Sequence, residues 1–194
     1  MEKINIKTNS FSITDNQIDL LLGILYRNLP NNICELGAGV STQVFKYYKE
    51  TLNKNANIVS IEHNNTYPGN IFCELIEDTS YCIDRYVFDC VNIYKGLSDK
   101  LAGSKFDFVL IDGPFGYNNN HEYTRVQMLE FLTNDLLSNE GCFLIHDSER
   151  ISSQNTQRIL YQLFEERNYQ FEIRTDGSNY KRLTIINFRK KLED

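Results

Sequence analysis

The chain has 194 residues, of which 41% are hydrophobic and 24% charged, and this length and composition predict a single folded domain over residues 1–194 rather than extended disorder. A formal charge of −6 without a long basic run provides no global attraction to phosphate backbones, so nucleic acid is not expected as the main partner. Five cysteines without paired metal-ligand spacing argue against a zinc site. The first residues contain no apolar signal-peptide core and no stretch approaches the length of a membrane span, so we expect a cytoplasmic protein.

The first third of the chain predicts a helix followed by a β-α-β unit. Apolar spacing over residues 15–28 indicates a helix that begins at Thr14 or Asp15 and forms an N-terminal extension over residues 1–30. A short apolar strand over residues 33–36 leads into a glycine turn and a second helix over residues 41–53. Residues 58–61 then predict another strand, and this order favours a parallel sheet.

The remaining elements continue the alternation, with one ambiguous region. Residues 71–76 and 86–91 both resemble strands, and the sequence leaves open which one is the third parallel strand. Further on, the pattern predicts strands over residues 106–111 and 142–145 and helices over residues 121–137 and 149–167. Residues 169–173 and 183–188 flank a turn at Asp176-Gly177 and are expected to pair antiparallel at one sheet edge. We therefore expect a doubly wound α/β fold.

Polar residues follow the predicted strands, where ligands bind in doubly wound sheets. The positions are residues 35–39, Glu62, Asp112 and the pair His146-Asp147. Because the carboxyl ends of parallel strands meet at one edge, these residues are expected to face a single crevice.

The glycine turn after the first strand predicts a nucleotide-binding loop. Gly37 and Gly39 allow a sharp turn close to a ligand, and the following helix presents its free N–H groups. Glu62, at the end of the second strand, can accept both hydroxyls of an adenosine ribose. A dinucleotide fingerprint would place glycine or alanine at position 42, where this chain has Thr42, so NAD is disfavoured. An ordinary structural turn is the alternative interpretation.

With Glu35 two positions before Gly37, the loop resembles the Glu/Asp-x-Gly-x-Gly motif of class I S-adenosylmethionine-dependent methyltransferases. The resemblance covers residues 31–188 and implies a Rossmann-like, mostly parallel seven-stranded sheet with a terminal antiparallel pair. It also implies S-adenosylmethionine as cofactor, with its methionine portion on the loop and its ribose on the acid after the second strand. The implied cofactor-binding residues are Glu35, Gly37, Ala38, Gly39, Ser41, Thr42, Glu62 and Asp112.

Four segments together resemble a subgroup related to glucuronoxylan 4-O-methyltransferases: Glu-Leu-Gly-Ala-Gly-Val-Ser-Thr, Ser-Ile-Glu-His, Ile-Asp-Gly-Pro and Ile-His-Asp-Ser-Glu-Arg. The matching positions are Asp112, Pro114, Gly116, Tyr117, Arg125, His146, Asp147 and Arg150. This resemblance implies O-methylation of a sugar, such as a uronic acid or a glycan precursor, with Tyr117, Arg125 and Arg150 binding the substrate. The third-strand region departs from the family spacing and leaves the adenine contacts unassigned.

A hydroxyl acceptor must be activated, and the expected catalytic residues are Asp112, His146 and Asp147. His146 is a candidate general base, or else a buried structural histidine. Asp112 and Asp147 could instead bind Mg, Mn or Co, with Ser148 or water completing the shell, since catechol-type O-methyltransferases place metal-binding acids at similar strand ends.

Other interpretations remain open at this stage. Asp147 is also a candidate cap for the following helix, and residues 115–121 are either a mobile substrate lid or a polar surface loop. The acceptor could belong to another class, namely a catechol, an amine, RNA or protein. A non-catalytic nucleotide-binding module would use the same glycine loop, and a nicotinamide oxidoreductase is a more distant alternative.

Overall fold

The computed structural model describes residues 13–66, 69–114, 121–177 and 181–192. The helices are α1 (Asp15–Asn28), α2 (Val40–Thr51), α3 (Leu97–Leu101), α4 (Glu130–Thr133) and α5 (Ile151–Glu166), with a 3-10 turn at Val126–Leu129. The strands are β1 (Asn32–Leu36), β2 (Asn57–Glu62), β3 (Ile71–Phe72), β4 (Leu75–Asp78), β5 (Tyr81–Ile83), β6 (Tyr86–Phe88), β7 (Val91–Tyr94), β8 (Phe106–Ile111), β9 (Leu137–Ile145), β10 (Tyr169–Asp176) and β11 (Leu183–Lys190).

The main sheet has seven strands in the order β10-β11-β9-β8-β1-β2-β3. The pairs β1 with β2, β1 with β8, β8 with β9 and β2 with β3 are parallel. Strand β11 runs antiparallel to both β9 and β10, which completes the predicted antiparallel pair at one edge. The Rossmann-like, mostly parallel seven-stranded fold is therefore confirmed.

Both faces of this sheet are covered, which makes the fold doubly wound. Side chains alternate along β8, with Val109 and Ile111 facing one side and Phe108 and Leu110 facing the other. The first side packs against α3, α4 and α5, and the second packs against α1 and α2. Among the described residues, no helix combines the length and the apolarity that a membrane crossing requires.

The third parallel strand lies in the first of the two predicted candidates. It is β3, which has only two residues and pairs with the end of β2. The second candidate is divided between β6, which pairs with β5, and β7, which pairs with β4. Cys90 lies between these two strands with φ 52°, a left-handed conformation that interrupts an extended run.

The helix predicted over residues 121–137 was wrong. Only the 3-10 turn and the four-residue helix α4 form there, and Asp135, with φ 53°, ends the segment before Leu137 begins β9. The apolar side chains of this stretch are buried on all sides, so their spacing does not reflect one helical face. Strand β9 is also longer than predicted, because Glu140 and Gly141 pair with β11 and Leu137 pairs with Phe106 of β8.

Candidate functional site

The strand register brings the predicted site residues together. Leu36 pairs with both Ile61 and Ile111, and Ile111 pairs with Ile145. Main-chain hydrogen bonds of 2.8 to 3.0 Å continue this ladder past the strand ends. The residues at these four strand ends therefore lie side by side: Glu62 is the last residue of β2, and Gly37, Asp112 and His146 directly follow β1, β8 and β9.

The loop after β1 approaches the loop after β8 too closely for a side chain. Gly37 has φ 93°, a left-handed conformation, and a Cβ there would lie 2.8 Å from the nitrogen of Gly113 and 2.9 Å from the carbonyl carbon of Asp112. Only glycine meets both requirements without strain. The two loops therefore pack together here through backbone atoms alone.

Glu35 lies beneath this loop. It is fully buried, and its Oε2 and Oε1 accept hydrogen bonds from the hydroxyls of Ser41 at 2.7 Å and Ser60 at 2.6 Å. Burial raises the pKa of Glu35 to about 7, although these serine hydroxyls oppose the rise. Glu35 therefore ties β1, β2 and the start of α2 together from inside.

The start of α2 explains the residue found at position 42. The N–H of Gly39, which precedes the helix, donates to the Thr42 hydroxyl at 2.9 Å. Thr42 and Ser41 are both buried, and the Ser41 hydroxyl donates to Glu35. The two hydroxyls expected to bind cofactor thus shape the loop from below.

Glu62 joins the end of β2 to the glycine loop. Its Oε2 accepts the N–H of Ala38 at 2.9 Å, and its Oε1 accepts the N–H groups of His63 and Asn64, each at 2.9 Å. A carboxylate offers about four acceptor positions. After these three bonds, the free position lies on Oε2, so the side chain retains capacity for one ribose hydroxyl rather than two.

An acid and an imidazole meet at the ends of β8 and β9. The Nδ1 of His146 lies 2.7 Å from Oδ1 of Asp112, and His146 is 1% exposed. Burial alone would raise the pKa of Asp112, but the charge and hydrogen bond of His146, assisted by Arg125, hold it below its usual value. An ionised Asp112 places the imidazole proton on Nδ1. The buried Nε2 finds no hydrogen-bond partner in the described part of the chain.

Arg125, a predicted substrate contact, is enclosed beside this pair. Its side chain is 5% exposed, and Nη2 lies 3.6 Å from Oδ1 of Asp112 and 3.5 Å from Oδ2 of Asp147. Its Nη1 donates to the carbonyl oxygen of His146. Arg150, whose side chain is 42% exposed, binds the same oxygen of Asp147 at 2.6 Å.

The cluster meets the ligand requirement of a metal site but not its charge requirement. Asp112, His146 and Asp147 offer three ligand atoms within 4.8 Å of one another. Arg125 and Arg150 already neutralise the two carboxylates. A divalent cation therefore fits these residues poorly.

Two further sequence interpretations depend on the residues beside this cluster. Ser148, expected as a further metal ligand, instead donates its hydroxyl to the carbonyl of Arg182 at 3.2 Å. The alternative role of Asp147 as a helix cap is also not observed, because the residue capping α5 is Arg150, without a side-chain cap bond.

Sequence reasoning missed two residues that border the site. Tyr94, at the end of β7, is buried, and a Cβ on Gly113 would collide with its hydroxyl. A Cβ on Gly69 would lie 2.8 Å from the Cβ of Glu62, so the loop after β2 packs directly on that acid. Both residues belong to the weakly patterned region, where a single aromatic residue or glycine carries no positional signal.

Tyr117 and the rest of residues 115–120 lie outside the described residues, so the lid remains a prediction.

No protein-family model and no curated protein matches this sequence. Solved structures do match its architecture. An O-methyltransferase from Bacillus cereus with S-adenosylhomocysteine matches with TM-score 0.59 and 14% identity over 93% of this chain and 84% of that one. The tomaymycin-synthesis O-methyltransferase from Streptomyces achromogenes with S-adenosylmethionine matches with TM-score 0.55 and 11% identity over 96% and 92%. A methyltransferase from Podospora anserina with S-adenosylhomocysteine matches with TM-score 0.55 and 16% identity over 93% and 80%.

The chain has the Rossmann-like methyltransferase fold. At these identities the likeness concerns the fold alone. Within this methyltransferase fold, the glycine loop after β1 and the acid that ends β2 lie at the same edge of the sheet as the Asp112–His146 pair.

Proposed function

We propose that the protein is an S-adenosylmethionine-dependent O-methyltransferase. The observation that carries the proposal is the Asp112–His146 hydrogen bond of 2.7 Å, with an Nε2 that has no partner among the described residues, beside a glycine loop in a methyltransferase fold. A nucleotide-binding module would need the loop, but it would have no use for a buried acid–imidazole pair at the neighbouring strand ends.

The residues around the loop fit the proposed cofactor. The N–H groups at the start of α2 are the backbone donors that can bind it, because those of Ala38 and Gly39 already bond Glu62 and Thr42. Glu62 accepts one ribose hydroxyl through Oε2, and Asp112 borders the sulfonium side. Glu35, Ser41 and Thr42 support the loop from below. When bound, S-adenosylmethionine supplies an electrophilic methyl group.

The chain's own part in the reaction is to remove a proton. With Nδ1 held by Asp112, His146 Nε2 would take the proton of the acceptor hydroxyl, once the side chains that cover this buried atom have moved to admit the acceptor. Asp112 holds the imidazole in the required tautomer and stabilises the resulting imidazolium. No divalent cation is needed for this step.

For the acceptor we propose a small hydroxyl-bearing molecule, with a sugar such as a uronic acid or glycan precursor as the first class to test. Arg150 supports this choice, because its half-exposed guanidinium lies beside the catalytic pair and can turn toward an anionic substrate group. Tyr117 stays a proposed substrate contact on the basis of sequence. Arg125 is not kept in this role, since its terminal nitrogens already contact Asp112, Asp147 and the carbonyl of His146.

The five free cysteines fit a reducing compartment, and we propose the cytoplasm. Three of them, Cys34, Cys73 and Cys142, are buried apolar residues of the core. We also keep the proposal that residues 1–194 form one domain, because the core beneath α1 is continuous with the sheet face that α2 covers.

The test combines cofactor binding with acceptor profiling. Calorimetry should detect one S-adenosylmethionine or S-adenosylhomocysteine per chain, and labelled cofactor with a panel of uronic acids, sugars, catechols and amines should yield a methylated hydroxyl. Glu172→Gln, on the exposed edge strand β10, serves as a control that leaves both results unchanged. Absence of cofactor binding, or methyl transfer to nitrogen acceptors alone, would contradict the proposal.

A further inference from the structure

A carboxylate pair at these strand ends needs positive charge beside it, and the chain itself provides that charge. We propose that Arg125 takes the place of a divalent cation between Asp112 and Asp147, so that the native site binds no such ion. This inference concerns the site of the proposed function and rests on that function for its relevance to methyl transfer. The test below measures metal binding alone.

The position of Arg125 is the first argument. One nitrogen, Nη2, lies 3.6 Å from Asp112 and 3.5 Å from Asp147, so a single group faces both acids. The other terminal nitrogen, Nη1, donates to the backbone carbonyl of His146. The guanidinium therefore contacts all three of the residues that could ligate a metal.

Burial and backbone conformation are the second argument. Arg125 is 5% exposed, so its charge cannot move into solvent without unpacking the segment around it. Its φ of 58° is left-handed, a conformation that residues other than glycine rarely adopt. The neighbouring Val126 is fully buried and fixes this segment against the sheet. The fold thus maintains an unfavourable backbone conformation that brings this side chain between the two acids.

A divalent cation in the same place would conflict with this arrangement. Metal–oxygen bonds of about 2.1 Å to both carboxylates would put the ion within about 6 Å of Nη2, in a poorly solvated site. The ion would repel the guanidinium and also remove its carboxylate partners. An arginine that is buried and unpaired is strongly unfavourable.

Arg150 provides a natural comparison. It binds only Asp147 of the two acids, and its side chain is 42% exposed, so it can turn into solvent when another cation arrives. Removing Arg150 should therefore leave the arginine contact of Asp112 in place, whereas removing Arg125 should eliminate it.

The experiment titrates Mn²⁺ alone into the full chain and measures free Mn²⁺ by electron paramagnetic resonance, without cofactor or acceptor. We expect no stoichiometric binding to the wild-type protein or to Arg125→Lys, which keeps the charge. The neutral variants Arg125→Met and Arg125→Gln should each bind one Mn²⁺ at least ~10-fold more tightly than wild type, since the uncompensated acids regain a cation. Adding Asp147→Asn to either variant should abolish this binding, and Arg150→Gln should behave as wild type.

The wild-type chain alone can overturn the proposal. One equivalent of Mn²⁺ bound by wild type and lost in Asp112→Asn would mean that Arg125 does not replace the ion. A folded Arg125→Gln variant that gains no Mn²⁺ affinity would also overturn it. Neither readout involves methyl transfer, so a failure of the proposed activity is detected separately, by the absence of turnover in wild type with and without EDTA.

Discussion

The Nδ1 of His146 lies 2.7 Å from Oδ1 of Asp112, and this contact links two neighbouring parallel strands at the carboxyl edge of the sheet. Since β8 and β9 pair in register up to Ile111 and Ile145, the two side chains meet directly beyond the last ladder pair. The hydrogen bond gives the imidazole one fixed orientation and directs its free nitrogen away from Asp112. The contact leads directly to a prediction about catalysis.

Replacing His146 by glutamine should reduce turnover by roughly 10²- to 10⁴-fold, because the general base is lost. Asp112→Asn should cause a loss in the same range, because an amide cannot hold the required tautomer in place. Cofactor affinity of His146→Gln, measured by calorimetry, should stay close to wild type. Asp99→Asn, on the exposed side of α3, is the matched control. Wild-type turnover in both site variants on an identified acceptor would exclude the catalytic role.

Glu35 should make the protein less stable as the pH rises. Its pKa is raised from 4.5 to about 7 in the folded chain, so the folded state binds more protons than the unfolded state between these values. Stability from this group is complete below about pH 4.5 and is lost as the pH rises through about 7, a change of about 3 kcal/mol. The lowered pKa of Asp112 acts in the opposite sense and only at more acidic pH.

The measurement is urea unfolding of wild type and Glu35→Gln between pH 5 and 8. The uncharged glutamine should remove this part of the pH dependence. The difference in free energy of unfolding between the two proteins should therefore change between pH 5 and 8. Parallel stability curves would mean that Glu35 is ionised throughout.

Glu62→Gln should weaken S-adenosylmethionine binding by roughly 10- to 100-fold, because a charge-assisted hydrogen bond to the ribose is lost. The melting temperature should fall as well, since the amide nitrogen of glutamine cannot accept the N–H groups that the carboxylate now binds. Calorimetry and thermal melts measure the two effects, with Glu172→Gln as the control for charge. An unchanged affinity would remove Glu62 from the cofactor site.

Gly37→Ala should abolish cofactor binding and lower stability, because its Cβ would lie 2.8 Å from the backbone nitrogen of Gly113 at a left-handed φ. The matched control is Gly23→Ala in α1, where no atom lies within 4 Å of the added Cβ. That change should stabilise the protein by about 0.5–1 kcal/mol through helix propensity. Comparable cofactor affinities in the two variants would refute the loop assignment.

Much of the fold was predictable because strongly apolar strands need no tertiary information to be located. The runs that became β1, β2 and β8 each end at a polar residue or glycine, which located Glu35, Gly37, Glu62 and Asp112 in advance. The region between β2 and α3 was ambiguous, since its short strands are completed by pairing with each other in two small sheets. Pairing partners of this kind are not encoded in local periodicity.

The sequence by itself determined the order of the elements, the glycine loop and the strand-end acids, because these follow from local hydrophobic pattern and backbone freedom. Only the tertiary structure placed Arg125 beside Asp112 and Asp147, whereas sequence similarity had implied a contact with the substrate. Its side chain reaches Asp112 and Asp147 because residues 124–129 pack against the sheet and hold it in a left-handed conformation. Such a placement depends on contacts between residues far apart in the chain, so no local pattern could have revealed it.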